Sequence, residues 1–154
     1  MTAEELIARA YDLIAAWNQR DVDRIVSAFS AEVSFQYSSW ASGLAGRQAV
    51  RADAEALLRA FEHVELEVKR TLTVGHVVTQ EFIARGTDGE RLVERGAISV
   101  ADYDSAGRIS SYARYWDARM TSRVDFNTTP RCEPSAAVRP TAAVRPIAAI
   151  RPTA

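Results

Sequence analysis

The side chains that could do chemistry are best sorted by what their spacing rules out. His63 and His76 stand far apart, without the His-x-x-x-His interval that puts two imidazoles on one helical face for a metal. Each is expected near a strand end, partly solvated. Cys132 is the lone cysteine, which excludes an internal disulfide and a cysteine-based metal cluster. Ser42-Gly43 lacks the Gly-x-Ser-x-Gly frame of a nucleophile elbow. There is no Gly-x-x-x-x-Gly-Lys phosphate loop, and no Gly-x-Gly-x-x-Gly follows a strand. Enzymatic chemistry in this chain must therefore come from carboxylates, tyrosines and arginines. No pattern calls for a metal or a cofactor.

The elements that must position those groups are readable from periodicity. Leu6, Ala10, Leu13, Ile14 and Trp17 follow helical spacing, and Thr2 with Glu5 has capping-box spacing at the start. A short helix is expected over 21–29, capped by Asp21, with Val22, Ile25, Val26 and Phe29 facing inward. Residues 33–37 alternate like a short strand, 38–46 read as a loop, and 47–61 carry a third helical stripe: Val50, Ala54, Leu57, Leu58 and Phe61. The period then drops to two. Val64, Leu66 and Val68 alternate with Glu65, Glu67 and Lys69, which places the two glutamates on a solvated or dimer-facing sheet edge. Strands follow over 77–85, 92–103 and 108–118, separated by an Asp-Gly hairpin signal at Asp88-Gly89 and a turn at Asp104-Ser105-Ala106-Gly107. Helices first and an antiparallel meander afterwards make an α+β domain, with helices packed on one face of the sheet.

The chain has 154 residues, 47% hydrophobic and 25% charged, ordinary for one globular domain. Nineteen basic residues are interleaved with twenty acidic ones for a net charge of −1, so neither a nucleic acid nor another polyanion is an expected partner. Met1-Thr2-Ala3-Glu4-Glu5 is an acidic start without the basic and apolar segments of a signal peptide, and no run approaches a membrane span. A cytoplasmic protein is expected. From Ala136 a six-residue unit repeats as Ala-Ala-Val-Arg-Pro-Thr, Ala-Ala-Val-Arg-Pro-Ile and Ala-Ala-Ile-Arg-Pro-Thr. Proline at every sixth position opposes a regular helix or central strand, so residues 123–154 read as an extended low-complexity tail behind a domain over 1–122.

Two segments carry a resemblance: Trp17-Asn18-Gln19-Arg20-Asp21, leading into the second helix, and the final strand Gly107-Arg108-Ile109 through Tyr115-Trp116-Asp117. With the order of elements, they make residues 3–120 resemble the SnoaL-like polyketide cyclases. These belong to the nuclear transport factor 2-like (cystatin-like) superfamily, which also holds ketosteroid isomerases and limonene epoxide hydrolases. The resemblance implies a cone, a curved antiparallel sheet wrapped around three N-terminal helices and enclosing an apolar pocket. It also implies which positions face that pocket. The isomerases' general base falls at Tyr37, their oxyanion tyrosine at Leu13, and their neutral carboxylic acid at Ser99; none keeps its type. The epoxide hydrolases' central arginine falls at Glu81, and their aspartates at Ile83 and Arg114, so their Asp-Arg-Asp set is absent.

What stands there instead is Glu81 and Arg114, the same kind of pair with charges exchanged. Alternation puts Thr79, Glu81, Ile83 and Arg85 on one face and Tyr112, Arg114 and Trp116 on one face of theirs. A slip of one residue would turn Gln80 and Phe82 inward instead. In the first register, Arg114 and Tyr37 polarise or protonate a substrate oxygen while Glu81 takes or orients a proton. Trp40, Leu13, Trp17, Ile83, Ser99, Tyr112 and Trp116 line the pocket. Asp117 and Arg119 read as a surface ion pair. The expected function is a cofactor-free cyclase or isomerase of an apolar oxygenated, polyketide-type intermediate. Epoxide opening and non-catalytic ligand binding are the alternatives, and a homodimer through the sheet is the expected assembly.

Overall fold

The structure is a computed structural model and describes residues 1–37, 43–88 and 91–116. The boundary at 122, the repeat tail, Trp40 and the Asp117–Arg119 pair lie outside the described residues. Helix α1 (Ala3–Asn18) starts on the expected capping box: Glu5 N–H donates to Thr2 Oγ1 at 3.2 Å, and Thr2 N–H to Glu5 Oε2 at 2.7 Å. Its apolar stripe, Leu6, Ala10, Leu13, Ile14 and Trp17, is buried as the spacing requires. Helix α2 (Val22–Ser27) is capped by the Asp21 carboxylate, which accepts from Arg24 N–H at 3.0 Å. It ends before Phe29, which instead opens strand β1 (Phe29–Tyr37). Phe29 is inward as expected, but from a strand, where it meets Phe35 and Tyr112 edge-on.

A two-residue strand β2 (Leu44–Ala45) and helix α3 (Gly46–Ala60) follow, then β3 (His63–Val74), β4 (Val77–Asp88), β5 (Arg91–Tyr103) and β6 (Ile109–Trp116). The six strands form one curved, unclosed sheet in the order β2-β1-β6-β5-β4-β3. β3 to β6 are the antiparallel meander; β1 adds to it in parallel, beside β6. The β3–β4 turn uses Gly75 at φ +61° and the β5–β6 turn uses Gly107 at φ +75°, both in the left-handed region where a Cβ is penalised. α1 packs on β3 and β4, and α3 on β1 and α2, so the core lies between the helices and one face of the sheet. His63 is exposed at the start of β3, and His76 is exposed in the β3–β4 turn, near Asp102 at 3.3 Å.

The joint between helices and sheet is the segment from Trp17 to Asp21. The Asn18 side chain pairs both ways with the Leu66 backbone, donating to its carbonyl at 3.1 Å and accepting from its N–H at 2.7 Å. It thus supplies the missing neighbour to β3, the edge strand. Arg20 adopts φ +58°, a conformation that costs a non-glycine residue about 1 kcal/mol. Its guanidinium donates to the carbonyls of Leu58, Phe61 and Glu62, capping the end of α3 and offsetting that strain.

Candidate active site on the inner face of the sheet

Side-chain alternation and register together decide what faces the helices. Thr71 pairs with Gln80, Gln80 with Ser99, Ser99 with Arg114, and Arg114 with Tyr37. Directly paired residues share a face, so this is one transverse row across five strands. Gln80, Ser99 and Arg114 are buried on it. Gln80 donates from its amide to Thr71 Oγ1 at 3.4 Å, and Thr71 Oγ1 donates to Tyr11 at 3.4 Å.

Arg114 is the centre of the row. It is only 3% exposed, and its Cζ lies 5.2, 5.4 and 5.6 Å from the ring centroids of Trp17, Tyr112 and Trp116. Its Nε and Nη2 donate to the Tyr112 hydroxyl at 3.4 and 3.3 Å. A guanidinium stays protonated at any ordinary pH, so this is a fixed positive charge in an apolar enclosure. Desolvation opposes such a charge, while each ring face recovers about 0.5–2 kcal/mol. The rings are themselves held: Tyr112 stacks on Phe35 at 5.1 Å, and Trp116 meets Phe82 edge-on at 6.3 Å. Leu13 and Trp17, from α1, are buried against the same face, and Trp116 packs against the core partly buried.

The expected Glu81–Arg114 pair does not form, because β4 takes the alternative register. Gln80, Phe82 and Ala84 turn inward; Glu81 points to the other face, half-exposed, with Arg70 Nε at 3.6 Å. Ile83 shares that outer face and is no pocket residue. Arg85, also outward, bridges Glu67 and Glu94 at 2.7 Å each, and Lys69 joins Glu67. Leu13, Trp17, Ser99, Tyr112, Arg114 and Trp116 therefore come together, with Tyr37 at the matching position of β1; Glu81 and Ile83 do not.

Two buried polar residues escaped the sequence reading. Gln80 belongs to the register not favoured there. Asp53 is buried on α3 between Val50, Ala54 and Leu58. Its signal was legible: a carboxylate three residues after Val50 sits on the helix's own apolar stripe, where an acid is rare without a purpose. Among the described residues no three His, Cys, Asp or Glu side chains converge to hold a metal ion, and no helix is long and apolar enough to cross a membrane.

Known proteins set this geometry in context. Residues 9–129 match the family model described as the SnoaL-like domain, a match that runs past the expected boundary at 122. None of the curated proteins matches the chain. Among solved structures, an LEH-like epoxide hydrolase of M. tuberculosis is 19% identical, with TM-score 0.67 over 76% of this chain and 86% of that one. SalBIII, an epoxide hydrolase/cyclase-like enzyme in pyran ring formation in the polyether salinomycin, is 20% identical, with TM-score 0.69 over 76% and 94%. AclR, a putative hydroxylase from Streptomyces galilaeus, is 18% identical, with TM-score 0.69 over 77% and 79%. At these identities the likeness is one of fold.

Proposed function

This chain belongs to the SnoaL-like domain family, and we propose that it is a cofactor-free cytoplasmic enzyme that cyclises or isomerises an apolar, oxygen-bearing intermediate of polyketide type. The observation that carries the reading is Arg114, a fixed cation buried among Trp17, Tyr112 and Trp116 on the inner face. Aromatic walls bind a carbon skeleton and hold it folded, which supplies the proximity term of a ring closure. The guanidinium then polarises a carbonyl or receives the negative charge that develops on oxygen. Tyr37, beside Arg114 in register, is the proton donor of the proposal. The carboxylate role passes from Glu81, which faces outward, to Asp53, buried on the helix that packs against β1.

A second reading uses the same cation at an oxirane oxygen, with an internal hydroxyl or water opening the ring. The two solved structures whose titles name epoxide hydrolase activity favour it. Incubation with a panel of hydroxy-epoxides and poly-β-ketones in oxygen-18 water, followed by mass spectrometry, separates the readings. Label in the product marks hydrolysis; an unlabelled cyclic product marks closure. Arg114→Met is expected to lower product formation about 10²–10³-fold, the usual loss on removing an oxyanion donor. Wild-type rates from both Arg114→Met and Asp53→Asn would leave a ligand-binding module rather than an enzyme.

The homodimer remains part of the proposal. Leu72, Ile98 and Tyr115 are large apolar side chains exposed on the outer face, and Ile98 and Tyr115 pair across β5 and β6. Sedimentation of wild type and Ile98→Asp tests it: a dimer that becomes a monomer supports this face, and a wild-type monomer removes it.

A further inference from the structure

We propose that the indole N–H of Trp17 and the guanidinium of Arg114 together form a two-donor site for one anionic oxygen, so that the ligand presents a carboxylate, enolate or alkoxide there. This rests on the reading above, that Arg114 faces the substrate, and extends it from charge to hydrogen-bond accounting.

Trp17 is 3% exposed, and its Nε1 has no hydrogen-bond partner among the described residues. Buried indole N–H groups nearly always find an acceptor, since leaving one unmade costs about 1–3 kcal/mol. Its ring lies 5.2 Å from Arg114 Cζ, so the two donor groups occupy one corner of the inner face. A hydrogen-bonded oxygen sits about 2.9 Å from each donor, which suits one oxygen between groups at this separation.

The described polar side chains around that corner are donor-rich. Arg114 has five N–H donors and no acceptor, and Trp17 has one donor and no acceptor. The Tyr112 oxygen already receives two Arg114 contacts, and the Gln80 amide is turned toward Thr71. Only the Ser99 hydroxyl is a versatile neighbour on the row. A neutral ligand with donors of its own would leave the indole unmet. An oxyanion satisfies it and is held by the guanidinium charge at the same time.

The test uses 2-naphthoate as the probe and the neutral ketone 2-acetylnaphthalene as its uncharged counterpart. The chain has three tryptophans, so nitrogen-15 indole labelling gives a short spectrum in which Trp17→Phe assigns one signal. In the wild-type protein, naphthoate is expected to move the Trp17 indole signal downfield, and the ketone to move it less. Trp17→Phe, which keeps an aromatic wall, is expected to weaken naphthoate about tenfold, the worth of one hydrogen bond to a charged group, and the ketone less than threefold. Arg114→Met should lose naphthoate more severely. If Arg114→Met loses naphthoate while the Trp17 signal stays fixed and Trp17→Phe binds normally, Trp17 is only a wall; this inference falls and the proposed function stands. If naphthoate ignores the wild-type protein, or binds Arg114→Met equally well, both fall.

Discussion

Replacing Asn18 by alanine should cost more than any other single change outside the apolar core of the Trp17–Asp21 segment. The Asn18 amide makes two bonds to one residue, at 3.1 Å to Leu66 C=O and 2.7 Å from Leu66 N–H, both partly buried. A hydrogen bond of this kind contributes about 1 kcal/mol net, and partial access of water keeps the stranded Leu66 groups from the full desolvation penalty. The loss is therefore about 2 kcal/mol. With unfolding entropy of about 2.1 cal/mol/K per residue, a folded domain of this size lowers its Tm by roughly 8 °C for that change. Urea unfolding followed by circular dichroism should show a reduced midpoint with an unchanged slope. The neighbouring Gln19→Ala is the comparator, because that side chain meets only Arg24 on the surface, at 2.9 Å, and should stay within about 0.5 kcal/mol of wild type. Equal stability of the two variants would refute the account of Asn18 as the surrogate neighbour of an edge strand. Because Trp17 precedes it, Asn18→Ala should also weaken naphthoate binding, through position rather than contact.

Two further outcomes follow from the faces of the sheet. Glu81→Gln should leave turnover within about twofold and stability within about 0.5 kcal/mol, since its partner Arg70 is an exposed surface cation; a large loss of activity in a steady-state assay would return Glu81 to the site. Tyr103 is buried, its hydroxyl has no partner among the described residues, and burial pushes its phenol well above the usual tyrosine range. The sign follows directly: below about pH 9 the phenol is neutral in both folded and unfolded chains, and above about pH 10 only the unfolded chain ionises freely, so stability drains away as pH rises. Guanidinium unfolding at pH 8 and pH 10.5 should show a smaller decline for Tyr103→Phe than for wild type. The variant should also be more stable by about 1 kcal/mol at pH 8, having lost an unpaired hydroxyl; an equal decline in both proteins would contradict the burial account.

The helices were legible because their signals are local. Thr2, Glu5 and Asp21 declare their caps, and the stripe from Leu6 to Trp17 admits one buried face. The register of β4 was not legible from β4 alone. Val77, Thr79 and Ile83 make one parity as plausible as Val78, Phe82 and Ala84 make the other, because the outer face is itself partly apolar. What decides it is non-local: Gln80 pairs with Ser99 and Ser99 with Arg114, across strands far apart in sequence. The same limit moved Phe29 from a helix to a strand, since its apolar character suits either, and only pairing with Ile109 distinguishes them. For the site, the resemblance marked Arg114, Ser99, Trp17 and Tyr112 correctly as neighbours of one face, while chemistry borrowed from relatives placed Glu81 among them. Asp53 needed no tertiary information, only attention to a charge on an apolar stripe.

The capping of α3 by Arg20 bears on how this chain tolerates sequence drift. Its acceptors are main-chain carbonyls of Leu58, Phe61 and Glu62, which every amino acid provides. Substitutions at those three positions can change side-chain character without dissolving the joint, whereas position 20 has no substitute: lysine keeps the charge but lacks the planar fork that reaches several carbonyls together. The burden of identity is thus carried by one residue and spared to three. Among distant relatives at one-fifth identity, an arginine in this place should outlast its surroundings as the visible mark of a backbone arrangement whose other half leaves no trace in the sequence.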